Sequence, residues 1–216
     1  RIQVYTRRKN PDLEQGVKDG ILSGLVYDIN SEFSSCDIIF LCAPVLKNIE
    51  FLHHLKPLIH ENCILTDVGS VKGNIHKAAR DLGLEHNFIG GHPMAGSEKT
   101  GYANSSAELL KNSYYLLTPT PHTSEANLQL LLSLLKCTGS KCVIVDPEKH
   151  DDITAAISHV PHIVAATLVN MVRENDTPES FMKAFAAGGF KDITRIASSS
   201  PEMWEQICMT NNTNIS

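Results

Sequence analysis

NCILTDVGSVKG, residues 62–73, contains a complete strand-to-helix turn. The run 62–68 reads as a strand with apolar residues on both faces, as a sheet covered on both sides requires. Gly69 turns the chain, and Ser70 is placed to cap a helix over 73–82, which Gly83 would end. A helix starting there aims its partial positive charge into the crevice at the strand's carboxyl end. Anionic ligands are favoured in such a crevice.

The same grammar extends to both sides. Strands are predicted at 2–6, 37–45, 86–91, 113–119 and 141–146, with helices near 47–59 and 124–137, the latter capped by Ser124 and closed by Gly139. Strands alternating with helices predict an α/β fold, a Rossmann-like, doubly wound, mainly parallel sheet. After Asp146 the pattern becomes helical. A long run over 150–173 carries an apolar stripe at Ile153, Ile157, Val160, Val164 and Leu168, and Pro161 is expected to kink it. A second helix is expected from Thr177-Pro178 to Gly188-Gly189, and a third from Ser200-Pro201. The boundary at 146 divides a sheet domain, 1–146, from an all-helical domain, 147–216.

Composition narrows the function. The 216 residues carry a net charge of −5, which argues against nucleic acid or an anionic membrane as partner. Six cysteines without a C-x-x-C pair point to a reducing, cytoplasmic setting and to no zinc site. No apolar run is expected to reach the length of a membrane span. Both ends of the chain read as cut, and no G-x-G-x-x-G precedes the first strand.

Several constellations could carry chemistry. His92 stands between Gly90-Gly91 and Pro93 at the end of a buried run, where its backbone is held extended and the glycines are expected to leave room for close approach of a ligand. Glu98 follows in a polar loop. At the end of the first strand Thr6-Arg7-Arg8 replaces the acidic residue that would take the ribose hydroxyls of NAD, and a basic residue there can receive the 2′-phosphate of NADP. His159 and His162 share a helix face, but without the further ligands of a metal motif, so no metal is expected. Lys191 and Arg195 lie one turn apart, beside Asp192, and an arginine can grip a carboxylate with two parallel hydrogen bonds.

Four motifs, DVGSVKG (67–73), GGHPMAGSEKTG (90–101), SHVPH (158–162) and GGFKDITRIASSSPEMW (188–204), together resemble the prephenate/arogenate dehydrogenases of tyrosine biosynthesis. The resemblance implies a nucleotide-binding domain lacking its first strand and glycine-rich loop, followed by an incomplete helical dimerisation domain. It implies NAD(P)-dependent oxidative decarboxylation of prephenate to 4-hydroxyphenylpyruvate by a cytoplasmic homodimer, with NADP the expected cofactor and NAD possible. Arogenate oxidation, or a non-catalytic binding or dimerisation fragment, are the alternatives. By the same resemblance His92 is the catalytic base and Ser70 orients it or the substrate hydroxyl. Arg195 and His162 bind substrate, Glu98 and Asp192 gate the site with Arg195, and Lys191, His159 and Trp204 stand behind them. Thr6, Arg7, Arg8, Asp67 and Ser70 would face the cofactor.

Overall fold

Parallel strands joined by helices dominate the first two-thirds of the chain. The computed structural model describes residues 1–96 and 101–216, so Glu98 lies outside the described residues. Strand β1 (Gln3–Tyr5), helix α1 (Pro11–Lys18) and β2 (Gly24–Val26) form a two-stranded parallel unit. Then come β3 (Ile38–Leu41), α2 (Val45–Leu55), β4 (Ile64–Asp67), α3 (Gly73–Asp81), β5 (Phe88–Pro93), β6 (Tyr114–Pro119), α4 (Glu125–Lys136) and β7 (Lys141–Ile144). They make one sheet in the order β3-β4-β5-β6-β7, parallel except where β5 meets β6. Alternating side chains serve two cores. Leu65 and Phe88 pack with Leu52, Ile75 and Ala79 of α2 and α3, whereas Ile64 and Ile89 pack with Leu131 and Leu135 of α4.

The helical part holds α5 (Pro147–Thr154), a π-helical turn (Ala155–His159), α6 (Val160–Asn175), α7 (Phe181–Phe185), α8 (Gly188–Thr194), α9 (Pro201–Thr210) and α10 (Asn212–Ile215). Pro161 does not break the long run. The wide π turn just ahead of it absorbs the missing donor, so the helix is continuous over Pro147–Asn175. At 29 residues this run is long and apolar enough to cross a membrane by length and composition, which corrects the expectation that no segment reaches that length.

Its faces are the reverse of a simple amphipathic reading. Ile157 and Val164 of the apolar stripe are 62% and 50% exposed, while His150, Asp151, Thr154, His159 and His162 are buried against the rest of the fold. Two further helix limits also differ from expectation. Pro178 does not open a helix; the Asp176 carboxylate accepts hydrogen bonds from the Met182 and Lys183 amides and starts α7 at Phe181 instead. Gly188-Gly189 begins α8 rather than ending α7. Ser200, as expected, caps α9 by accepting from the Met203 amide.

Candidate active site

The site grows from the carboxyl ends of β4 and β5. Asp67 ends β4, and its carboxylate is fully committed inside the protein. One oxygen accepts from the Gly91 amide at 3.1 Å, and the other accepts from the Gly69 amide at 2.9 Å and from the Lys72 ammonium. Lys72 also donates to the Gly91 carbonyl at 2.8 Å and is wholly buried. Burial pulls the Lys72 ammonium below its usual range, and the Asp67 charge opposes that. Asp67 is therefore a bracket inside the wall, not the cofactor-facing side chain that was expected. Its pair with Lys72 ties β4 to β5 one residue before His92.

The glycines beside His92 have a similar structural explanation. A Cβ on Gly91 would sit 2.6 Å from the Asp67 carbonyl oxygen and 3.1 Å from the Tyr115 ring. The space that Gly90 and Gly91 were expected to leave for ligands is filled by the protein's own atoms. Both glycines are needed because strand β5 is pressed from its two sides.

His92 is buried at the end of β5, and its Nδ1 lies 2.9 Å from Nε2 of His150 on α5. His150 Nδ1 lies 2.8 Å from Oδ1 of Asp151. Asp151 in turn accepts the backbone amides of Lys72 and Gly73, each at 2.7 Å, so a carboxylate from the helical part caps α3. Ser70 is thus not the helix cap; the helix starts at Gly73, as expected, with Lys72 at the cap position. The half-buried Ser70 hydroxyl is left outside that role, in the bend between β4 and α3. Burial, then the Lys72 charge, then His150 and His159, push His92 well below the ordinary histidine range. It stands as a neutral imidazole at physiological pH.

Beyond His150 the polar row continues on the helical side. His159 Nδ1 meets the Asn211 amide at 3.0 Å, and Asn211 also donates to the Asp151 carbonyl at 2.8 Å. The His162 ring stacks on the Trp204 indole at 3.4 Å with the planes 6° apart, and His159 meets Trp204 edge-on. Burial lowers His159 to about 4 and lowers His162 too, with the Ile196 backbone working the other way. His159 Nε2, His162 Nδ1 and Trp204 Nε1 are buried without a hydrogen-bond partner among the described residues. Three orphaned polar atoms on neighbouring rings are costly unless something else satisfies them. Arg195 adjoins Ile196 in the short 3₁₀ turn after α8, and it is exposed, as are Lys191 and Asp192 on α8.

The histidine row therefore spans both parts of the chain and brings His92, His159, His162 and Trp204 into one continuous polar region. Sequence reasoning missed His150, Asp151 and Lys72. The letters HDD after Asp146-Pro147 look like a solvated helix start, and only the buried face of α5 reveals their partners, His92 on β5 for His150 and the start of α3, 79 residues away, for Asp151. After β1, the Thr6 hydroxyl donates to the Arg8 carbonyl at 3.0 Å, closing a turn that leaves Arg7 and Arg8 exposed.

Comparisons with known proteins agree with this arrangement. The family model described as the nucleotide-binding domain of prephenate dehydrogenase matches residues 5–144, and the one described as its dimerization domain matches residues 146–216. The prephenate dehydrogenase of Bacillus subtilis is 40% identical over 197 residues, covering 90% of this chain and 53% of that protein. The crystal structure of Aquifex aeolicus prephenate dehydrogenase, with hydroxyphenyl propionate and NAD+, superposes with a TM-score of 0.90 at 35% identity, covering 99% of this chain and 74% of that one. Synechocystis arogenate dehydrogenase superposes with a TM-score of 0.81 at 28% identity, covering 99% and 84%. The chain spans about half the length of the curated relatives it matches. With both domain models matched in order across nearly every residue, the chain belongs to the prephenate dehydrogenase family.

Proposed function

We propose that this chain supplies the catalytic site of a prephenate dehydrogenase, which oxidises and decarboxylates prephenate to 4-hydroxyphenylpyruvate. The observation that carries the reading is the buried neutral His92 facing a helical part in which His159, His162 and Trp204 each keep one ring nitrogen without a partner among the described residues. His92 accepts the proton of the ring hydroxyl as the carbinol carbon gives up its hydride. Ser70, left free of the helix cap, orients that hydroxyl or the imidazole. Arg195 holds a substrate carboxylate, and His162, flat on Trp204, reaches the substrate side chain. His159 and Lys191 support these groups from behind, and Asp192 with Glu98 forms the ionic gate to Arg195. Loss of the ring carboxylate as CO2 is drawn by aromatisation, so the protein mainly orients the substrate and takes one proton.

When bound, the nicotinamide is the hydride acceptor. Arg7 and Arg8, exposed on the turn after β1, suit the 2′-phosphate of NADP, with the Thr6 hydroxyl closing the turn. The domain boundary is placed at 146. The exposed stripe Ile157, Val160, Val164 on one helix face is the surface that would join two copies as a homodimer. Six free cysteines accord with a cytoplasmic enzyme.

The test is steady-state formation of reduced nicotinamide by a protein carrying this chain. Prephenate and arogenate would each be offered with NAD+ and with NADP+. Turnover of prephenate, at higher kcat/KM with NADP+, is expected. Preference for arogenate would reassign the substrate, and no turnover of either would end the dehydrogenase reading.

A further inference from the structure

The proton on His92 has a definite place, and the chain His92–His150–Asp151 fixes it. Asp151 accepts two backbone amides, one on each oxygen, at the positive end of α3 and near the Lys72 ammonium. Both oxygens are thereby held as acceptors. The His150 nitrogen 2.8 Å from it must then be the N–H that donates. In a neutral imidazole the other nitrogen is an acceptor, so His150 Nε2 receives a hydrogen bond from His92 Nδ1 across 2.9 Å.

We propose that His150, backed by Asp151, is a positioning residue that holds His92 in the tautomer protonated on Nδ1, leaving Nε2 as the nitrogen that takes the substrate's proton. The inference rests on the reading of His92 as the base. In this arrangement a carboxylate orients an imidazole, as in catalytic triads, but through one intervening ring. As Nε2 gains its proton, the positive charge on His92 is shared through the Nδ1–H bond toward His150 and the Asp151 carboxylate. No second base is needed.

The test separates this claim from the substrate assignment. The chain labelled with ¹⁵N-histidine is studied by NMR at neutral pH, with His92 identified by comparison with His92→Asn. Nδ1 should carry a slowly exchanging proton, and Nε2 should show the shift of a bare nitrogen. In His150→Phe the acceptor is gone, and His92 should move toward the Nε2–H form; His150→Gln, whose amide oxygen can still accept, should retain Nδ1–H. In turnover assays His150→Phe should lower kcat by about 10–100-fold with KM within about threefold, and His150→Gln should recover most of the loss. An Nε2–H tautomer in the unaltered protein overturns the proposal, and that spectrum decides even if His150→Phe does not fold. A His150→Phe protein with an unchanged tautomer, or with its defect in KM alone, also overturns it. The expected tautomer in a protein that does not oxidise prephenate would refute the substrate reading and leave this one standing.

Discussion

The two sides of the cleft handle buried polarity in opposite ways. Around β4 and β5, Asp67, Lys72 and the glycine backbone close a circuit in which each charge has its partners within the wall. Across from it, His159, His162 and Trp204 each bury a nitrogen that no described residue satisfies. A wall whose charges are paired is rigid before any ligand arrives, as placement of a base requires, although the Thr66 and Tyr115 hydroxyls beside Gly91 are also buried without a partner among the described residues. The contrast lies in the charges: those of the sheet side are paired inside the fold, whereas the helical side carries unpartnered ring nitrogens.

Mutations can break this contrast. The largest expected effect is at the base: His92→Asn should lower kcat by about 10³-fold or more while KM stays within about threefold, measured by steady-state kinetics. Near-normal turnover would remove His92 from the chemistry. Lys72→Met leaves the Asp67 carboxylate buried without its counter-ion, and urea denaturation should show a loss of about 3–5 kcal/mol. A negligible loss would mean that the wall is not held by its own charges. On the other side, Arg195→Gln should raise KM by about 10–100-fold with little change in kcat, because a charge-assisted contact contributes about 1.5–3 kcal/mol. A fall in kcat alone would move Arg195 from binding to chemistry.

A pH profile sharpens the comparison further. His76, which contacts the Thr118 hydroxyl at 2.8 Å, and His159 are each lowered to about 4, mainly by burial. Between about pH 6.5 and 4 the unfolded chain binds protons that these folded imidazoles refuse. Stability should therefore fall as pH drops through that window, by at most about 1.4 kcal/mol per pH unit for each such histidine. Thermal unfolding at pH 7, 6 and 5 measures it; a flat profile would show that these rings are already charged in the fold.

How much of this was legible follows from the range of each interaction. Strands β3 to β7 and their helices were readable because apolar runs and glycine punctuation are local signals. β2 escaped because GLV is too short to show a period. His92 stood out through its flanking glycines and proline, although the reason for those glycines lay in neighbouring strands. His150 and Asp151 were invisible, since their partners are on β5 and at the start of α3, and nothing in HDDIT encodes a distant contact. The stripe Ile153–Leu168 carried the right period, but periodicity does not say which face turns inward. Here the polar face is buried because it completes the site.

The carboxylate of Asp151 has one more consequence, for motion. It belongs to the helical part yet closes the first turn of a helix in the sheet part, and Asn211 clasps its backbone from behind. Swinging the two lobes apart would strip two amides of their acceptor and draw a charge away from its donors. The two parts are thereby latched to each other at the start of α3, and that joint stays shut.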